Sequence, residues 1–186
     1  GTFLPFVESD VPEASPARAK AREVVLALEP HVVPLARHPD PLLRTRAIAS
    51  LGRSSSDIAS NAVLLAIDDS NETVVRVALR SVGAHSGARA AKALANVLAT
   101  RENWALRVMA AEALGRLGGG GHGLVTTPVL VKSAKEDSYA LVRESALRAL
   151  SAYDGKAAAT LAEFMRSNDP EPRVRDAAVA ILRALH

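Results

Sequence analysis

The side chains most able to do chemistry are scattered along this sequence. Its five histidines, His31, His38, His85, His122 and His186, form no HExxH pattern and no His-Glu dipeptide. Two histidines four residues apart on one helical face are what a metalloprotease site requires, and that spacing does not occur. Cysteine is absent, which removes thiolate metal sites, disulfides and a cysteine nucleophile. No GxSxG elbow exposes a serine. The run Gly118-Gly119-Gly120-Gly121-His122-Gly123 lacks the lysine–serine of a phosphate loop and follows no strand pattern. It is expected to be a linker between repeats, able to hinge. Each histidine is expected on the surface or at a cap. No catalytic, cofactor or metal residue is assigned, and the chain is expected not to be an enzyme.

The charged residues that do recur are arginines. The segments Leu43-Arg44-Thr45-Arg46-Ala47, Leu106-Arg107-Val108-Met109-Ala110, Val142-Arg143-Glu144-Ser145-Ala146 and Val174-Arg175-Asp176-Ala177-Ala178 each read aliphatic, Arg, two variable residues, Ala. A fifth copy, Val74-Val75-Arg76-Val77-Ala78, has its arginine displaced by one place. The alanines Ala47, Ala78, Ala110, Ala146 and Ala178 are separated by 31, 32, 36 and 32 residues. Near-constant spacing of this length is the signature of a repeat architecture. Acids precede the arginines: Asp40, Glu102, Asp137 and Asp169.

Each copy must be a helix. Leu43, Ala47, Ile48 and Leu51 fall on one helical stripe, and the other copies repeat the pattern. Asp40-Pro41 and Asp169-Pro170 each pair an N-cap acceptor with a proline suited to the first helical position. Asn71, Asn103, and Asp137 or Ser138 are the cap candidates elsewhere. A second apolar segment precedes each copy, at about 31–37, 57–67, 88–99, 123–134 and 157–166. The 36 alanines and only six aromatic residues suit thin, closely packed layers better than one thick core. The expectation is an all-α stack of about five helix pairs, at approximately 30–53, 56–84, 87–117, 123–153 and 156–186. A capping helix at about 16–28 precedes them, so that 16–186 forms one repeat domain. Residues 1–15, with Phe3, Phe6 and several prolines and acids, are expected to be an extended arm.

The stretch Val32-Val33-Pro34-Leu35-Ala36-Arg37-His38-Pro39-Asp40-Pro41-Leu42-Leu43-Arg44 resembles bacterial HEAT repeats of the phycobilisome-lyase-like type. The resemblance covers roughly residues 30–186. It implies a right-handed α-α superhelix, with the second helix of each pair on the concave side. It also implies a structural ladder, in which Arg44, Arg107, Arg143 and Arg175 bond loop acids or helix-terminal carbonyls of neighbouring repeats, with Asp40, Asp137 and Asp169 among the partners.

Variable positions beside that ladder are the better candidates for binding. Arg76, Arg80, Glu112, Glu144 and Arg148 lie on one strip of the second helices, with Arg116 at its edge. Both signs occur along its middle. A phosphate backbone selects a continuous basic track, whereas mixed charge suits a protein or peptide partner. Trp104, the only tryptophan, is either a partner anchor or packed over a turn. The expected function is a non-catalytic scaffold that binds protein on its concave face or through the arm. The alternatives are a nucleic-acid-binding domain resembling the HEAT-like DNA glycosylases, and an accessory subunit resembling a bilin lyase. A net charge of +3 permits nucleic acid without requiring it. No apolar run of about 18 residues suggests a membrane span. The chain starts at Gly1 and is expected to be a piece of a longer, cytoplasmic protein.

Overall fold

The computed structural model describes residues 16–83, 87–118 and 123–185. The expected arm, the middle of the glycine run, and His85, His122 and His186 lie outside the described residues. Among those described there are ten α-helices and no strand. They are α1 (Pro16–Val32), α2 (Pro41–Leu51), α3 (Asp57–Leu65), α4 (Glu72–Ser81), α5 (Gly87–Thr100), α6 (Trp104–Leu117), α7 (Gly123–Glu136), α8 (Ala140–Tyr153), α9 (Gly155–Asn168) and α10 (Pro172–Leu185). Short 3₁₀ turns, Val33–Arg37 and Ala66–Asp68, follow α1 and α3. The separate helix expected to end near Leu28 instead runs through Pro30 into the 3₁₀ turn.

Consecutive pairs stack so that α2, α4, α6, α8 and α10 lie side by side. The five column alanines are buried within this stack. Ala78, Ala110, Ala146 and Ala178 are completely buried, and Ala47 nearly so. A methyl side chain at that point lets backbones approach, while Ile48, Leu79, Leu114, Leu147 and Leu150 fill the space between layers. Burial contributes roughly 1.5–3 kcal/mol for each such large side chain. The stack therefore holds together through nearest-neighbour interfaces, as solenoids do.

Caps explain where several second helices start. Asp40 accepts from the Leu42 N–H, Asn71 from Thr73 and Val74, and Asn103 from Ala105. The expectation fails for α8 and α10. The second of these begins at Pro172 instead of Pro170, and the Asp137 and Asp169 carboxylates accept from the N–H groups of Tyr139 and Glu171 ahead of the helices. Both acids stand two residues ahead of the N-cap position, which Tyr139 and Glu171 occupy, just as Asp69 stands two ahead of the capping Asn71.

Gly52 ends α2 in ordinary helical conformation, so its backbone does not require glycine. Its surroundings do: a Cβ there would lie 2.4 Å from the Ser81 Cβ of α4. Gly52→Ala is expected to lower stability by about 1–3 kcal/mol through overpacking, measured by urea unfolding. Adding Ser81→Gly should recover part of it. At the equivalent place in α6, a Cβ on Gly115 meets Ala149 at an ordinary 3.5–3.6 Å, so Gly115→Ala should be tolerated.

Candidate functional site

The recurring arginines form a ladder along the turns. In each rung Nη1 donates to two carbonyls of the arginine's own turn, while Nε and Nη2 close on the aspartate of the next turn. Arg44 bonds the His38 and Pro39 oxygens and reaches Asp69 at 2.7 and 2.8 Å. Arg107 bonds the Arg101 and Glu102 oxygens and reaches Asp137 at 2.8 and 2.9 Å. Arg143 does the same with Asp137 and Ser138 oxygens and with Asp169, at 2.8 Å to both carboxylate oxygens. The planar fork of arginine makes this two-sided contact possible, and lysine cannot reproduce it. Asp40, expected among the acids of the ladder, is a cap only; the first rung falls on Asp69.

One rung is missing. Nine residues before each column alanine stand His38, Asp69, Arg101, Asp137 and Asp169, and three before it stand Arg44, Val75, Arg107, Arg143 and Arg175. Between the second and third layers both members have changed, to Val75 and Arg101. Val75 is buried. Arg101 turns back instead, donating to the Ile67 oxygen and to Asp68. Of the consecutive second helices, α4 and α6 also make the thinnest contact, and α6 and α8 the most extensive. Layers three and four, which flank the glycine run, are thus tightly joined, and the weak joint lies one layer earlier.

The ladder makes stability depend on acid. Bonds from the Arg44 guanidinium, set against partial burial, hold the Asp69 carboxyl below the usual range. For Asp169 burial alone would raise the value, but bonds from Arg143 and the Glu171 N–H outweigh it and leave it lowered. A depressed carboxylate contributes stability that is complete above its unfolded pKa of about 3.9 and disappears as pH falls through the folded value. The melting temperature should therefore fall steeply below about pH 4. Asp69→Asn and Asp169→Asn should each flatten that fall, in thermal melts taken from pH 7 to 2.5.

Beside the ladder, α6, α8 and α10 enclose an open cleft of about 600 Å³. Val108, Ala111, Gly115, Leu141, Ala149 and Ala152 give it an apolar floor. Four of the expected binding residues line it: Glu112, Arg116, Glu144 and Arg148. Glu144 is sunk in the wall, its side chain 14% exposed, between Arg148 at 3.1 Å and Arg173 at 2.7 Å. Both arginines remain more than half exposed. Arg116 donates to the Leu79 oxygen across the layer boundary.

Sequence reasoning missed Arg173, because its column carries Leu141 and Ala105 in the preceding copies. Arg76 and Arg80 lie outside the cleft. Arg76 pairs within its helix with Glu72, which also accepts from Asn103, and Arg80 is exposed. Trp104 stacks on Tyr139 of the next turn, centroids 5.6 Å apart, while the Arg107 guanidinium lies 5.6 Å from the Tyr139 ring. The stack lies at the turn before α8, and Trp104 remains 37% exposed. Among the described residues no group of three His, Asp or Glu side chains converges as a metal would require. No helix among them is long and apolar enough to cross a membrane.

A family model described as HEAT repeats matches residues 60–151. No curated protein matches the sequence. Among solved structures, the chain is similar to one in the complex of CpcE and CpcF of phycocyanin lyase from Nostoc sp. PCC7120. The TM-score is 0.64 and the identity 21%, over 84% of this chain and 98% of that one. This corrects the expectation that the chain is not an enzyme: the similar structure belongs to a lyase. The motifs whose absence suggested otherwise are those of hydrolases, metalloenzymes and nucleotide binders, and their absence says nothing of lyase chemistry. Stacked helix pairs, the arginine ladder and the matches agree in one conclusion: this chain folds as a HEAT-like α-solenoid.

Proposed function

We propose that the chain is a protein-binding subunit of a lyase-type enzyme assembly, holding its protein partner in the cleft between α6, α8 and α10. The observation that carries this reading is the composition of the cleft. An apolar floor can bury partner side chains, and Arg148 and Arg173 stand above it, fixed by the shared Glu144. Pre-ordered arginines around an apolar centre are what protein hot spots favour. Glu112 and Glu144 interrupt the positive charge, which disfavours a nucleic-acid backbone. The similar structure is itself a complex of two proteins of a lyase.

The test starts with the proteins that the wild-type chain captures from its source cells, identified by mass spectrometry and then purified. Arg148→Glu with Arg173→Glu should weaken binding of the captured partner by at least about tenfold, or about 1.4 kcal/mol, and leave the circular dichroism spectrum unchanged. Lyase chemistry would appear as gain or loss of a covalent adduct on that partner, read by intact mass. Unchanged affinity in the double variant rejects the cleft. A salt-sensitive gel shift with duplex DNA would favour the nucleic-acid reading.

A further inference from the structure

The cleft continues past the residues that enclose it. Its floor on α6 is the stripe Val108, Ala111 and Gly115. Trp104 stands one turn before Val108 on that stripe, at the start of the helix. Its ring stacks on Tyr139, which is held in turn by the Arg107 guanidinium of the ladder. Both rings remain exposed in part. The pair is therefore a fixed aromatic shelf at the end of the cleft where α6 and α8 begin.

Arg173 stands at the same end, in the first turn of α10. Its Nε donates to Glu144 at 2.7 Å, while its Nη1 and Nη2 have no partner among the described residues. The charged side chains lining the cleft are three arginines and two glutamates, and Arg148 and Arg173 share one of those glutamates. Asp176, a turn further along α10, does not line it. The free amino edge of Arg173 is thus a fork already oriented for a carboxylate, which would order little on binding.

Packed helices lie about 8–10 Å apart, and the Arg173 guanidinium leans onto α8, so shelf and fork are separated by roughly 12–15 Å. An extended chain advances about 3.3 Å per residue and turns alternate side chains to one side, so residues four apart span that gap on one face. A helix, about 10–12 Å across, would fill this space with little more than one turn.

We propose that the cleft takes an extended segment of the partner protein that crosses α6, α8 and α10, with an aromatic residue and an acidic residue four positions apart. The ring adds to the Trp104–Tyr139 stack, the carboxylate accepts from Nη1 and Nη2 of Arg173, and an apolar side chain midway covers Leu141. This rests on the cleft being the partner site, and makes Trp104 and Arg173 the residues that select the partner.

Random twelve-residue peptides displayed on phage, selected on the wild-type chain and counter-selected on Arg173→Gln, test it. The enriched sequences should share the aromatic and acidic residues at that spacing. A synthetic version with phenylalanine as its ring should change the fluorescence of Trp104, the only tryptophan in the chain. Arg173→Gln should weaken its binding by at least about fivefold, as should the amide in place of the peptide's acid, with little further loss when the two are combined. Trp104→Ala should weaken it by about tenfold. No enrichment, enrichment of sequences without the acid, binding indifferent to Arg173→Gln, or unchanged Trp104 fluorescence would each overturn the proposal. If Arg148→Glu with Arg173→Glu still releases the captured partner in that event, the cleft stands and the extended acidic segment alone is refuted. If the captured partner ignores that double variant too, the cleft falls with it.

Discussion

Arg143→Met is expected to destabilise the protein by about 3–5 kcal/mol, the cost of leaving one member of a buried ion pair without the other. The Arg143 and Asp169 side chains are 9% and 5% exposed. Without the guanidinium, Asp169 keeps only the Glu171 N–H, and the Asp137 oxygen loses its donor. For a chain of this size the loss corresponds to a fall of roughly 10 °C in melting temperature. Replacing both members, Arg143→Met with Asp169→Leu, should restore most of it, because a packed apolar pair avoids the desolvation of two charges. Arg148→Met removes an arginine that is more than half exposed and leaves Glu144 its bond to Arg173, so it should cost less than about 1 kcal/mol. Hydrogen exchange should show α9 and α10 opening first in the Arg143 variant, since that rung joins the last pair to the stack. A cost for Arg143→Met no larger than for Arg148→Met would contradict the structural role of the ladder.

Val75→Arg is expected to be similarly damaging, and for an instructive reason. It places a guanidinium at the buried ladder position of the second layer. The next turn offers Arg101 there, so the new charge has no acid and faces a like charge. The expected cost is about 3 kcal/mol or more. Arg101→Asp alone loses the bonds to Asp68 and the Ile67 oxygen. Together the two substitutions rebuild the rung found at the other three junctions, and the double variant should recover at least half the loss. A double-mutant cycle by urea unfolding measures the coupling. Simple additivity would mean that the two columns do not face each other as the structure places them.

The helix stack was legible in the sequence because its cause is local. Column alanines, aliphatic neighbours at helical spacing, and Asp40, Asn71 and Asn103 at helix starts are all written within a dozen residues. The rungs were less legible, because they join residues 25–30 apart and depend on which turn lies beside which. Aligning acids to the arginines of their own copy therefore selected Asp40, whereas the structure pairs Arg44 forward with Asp69. The paired change to Val75 and Arg101 was visible once the column nine residues before each alanine was read down. Arg173 carried no such signal. It differs from its column mates, and only the fold brings it against Glu144. Of the strip expected to bind a partner, the part on α6 and α8 lies in one cleft, while Arg76 and Arg80 on α4 lie beyond it.

Residues that hold the stack are distinct from residues that face a partner. Amide hydrogen exchange of the full chain, with and without its captured protein partner, tests that division most directly. New protection is expected at residues 108–116, 141–152 and around 173, with the ladder turns already protected in the free chain. Protection confined to α3, α5, α7 and α9, with none along the cleft, would contradict it.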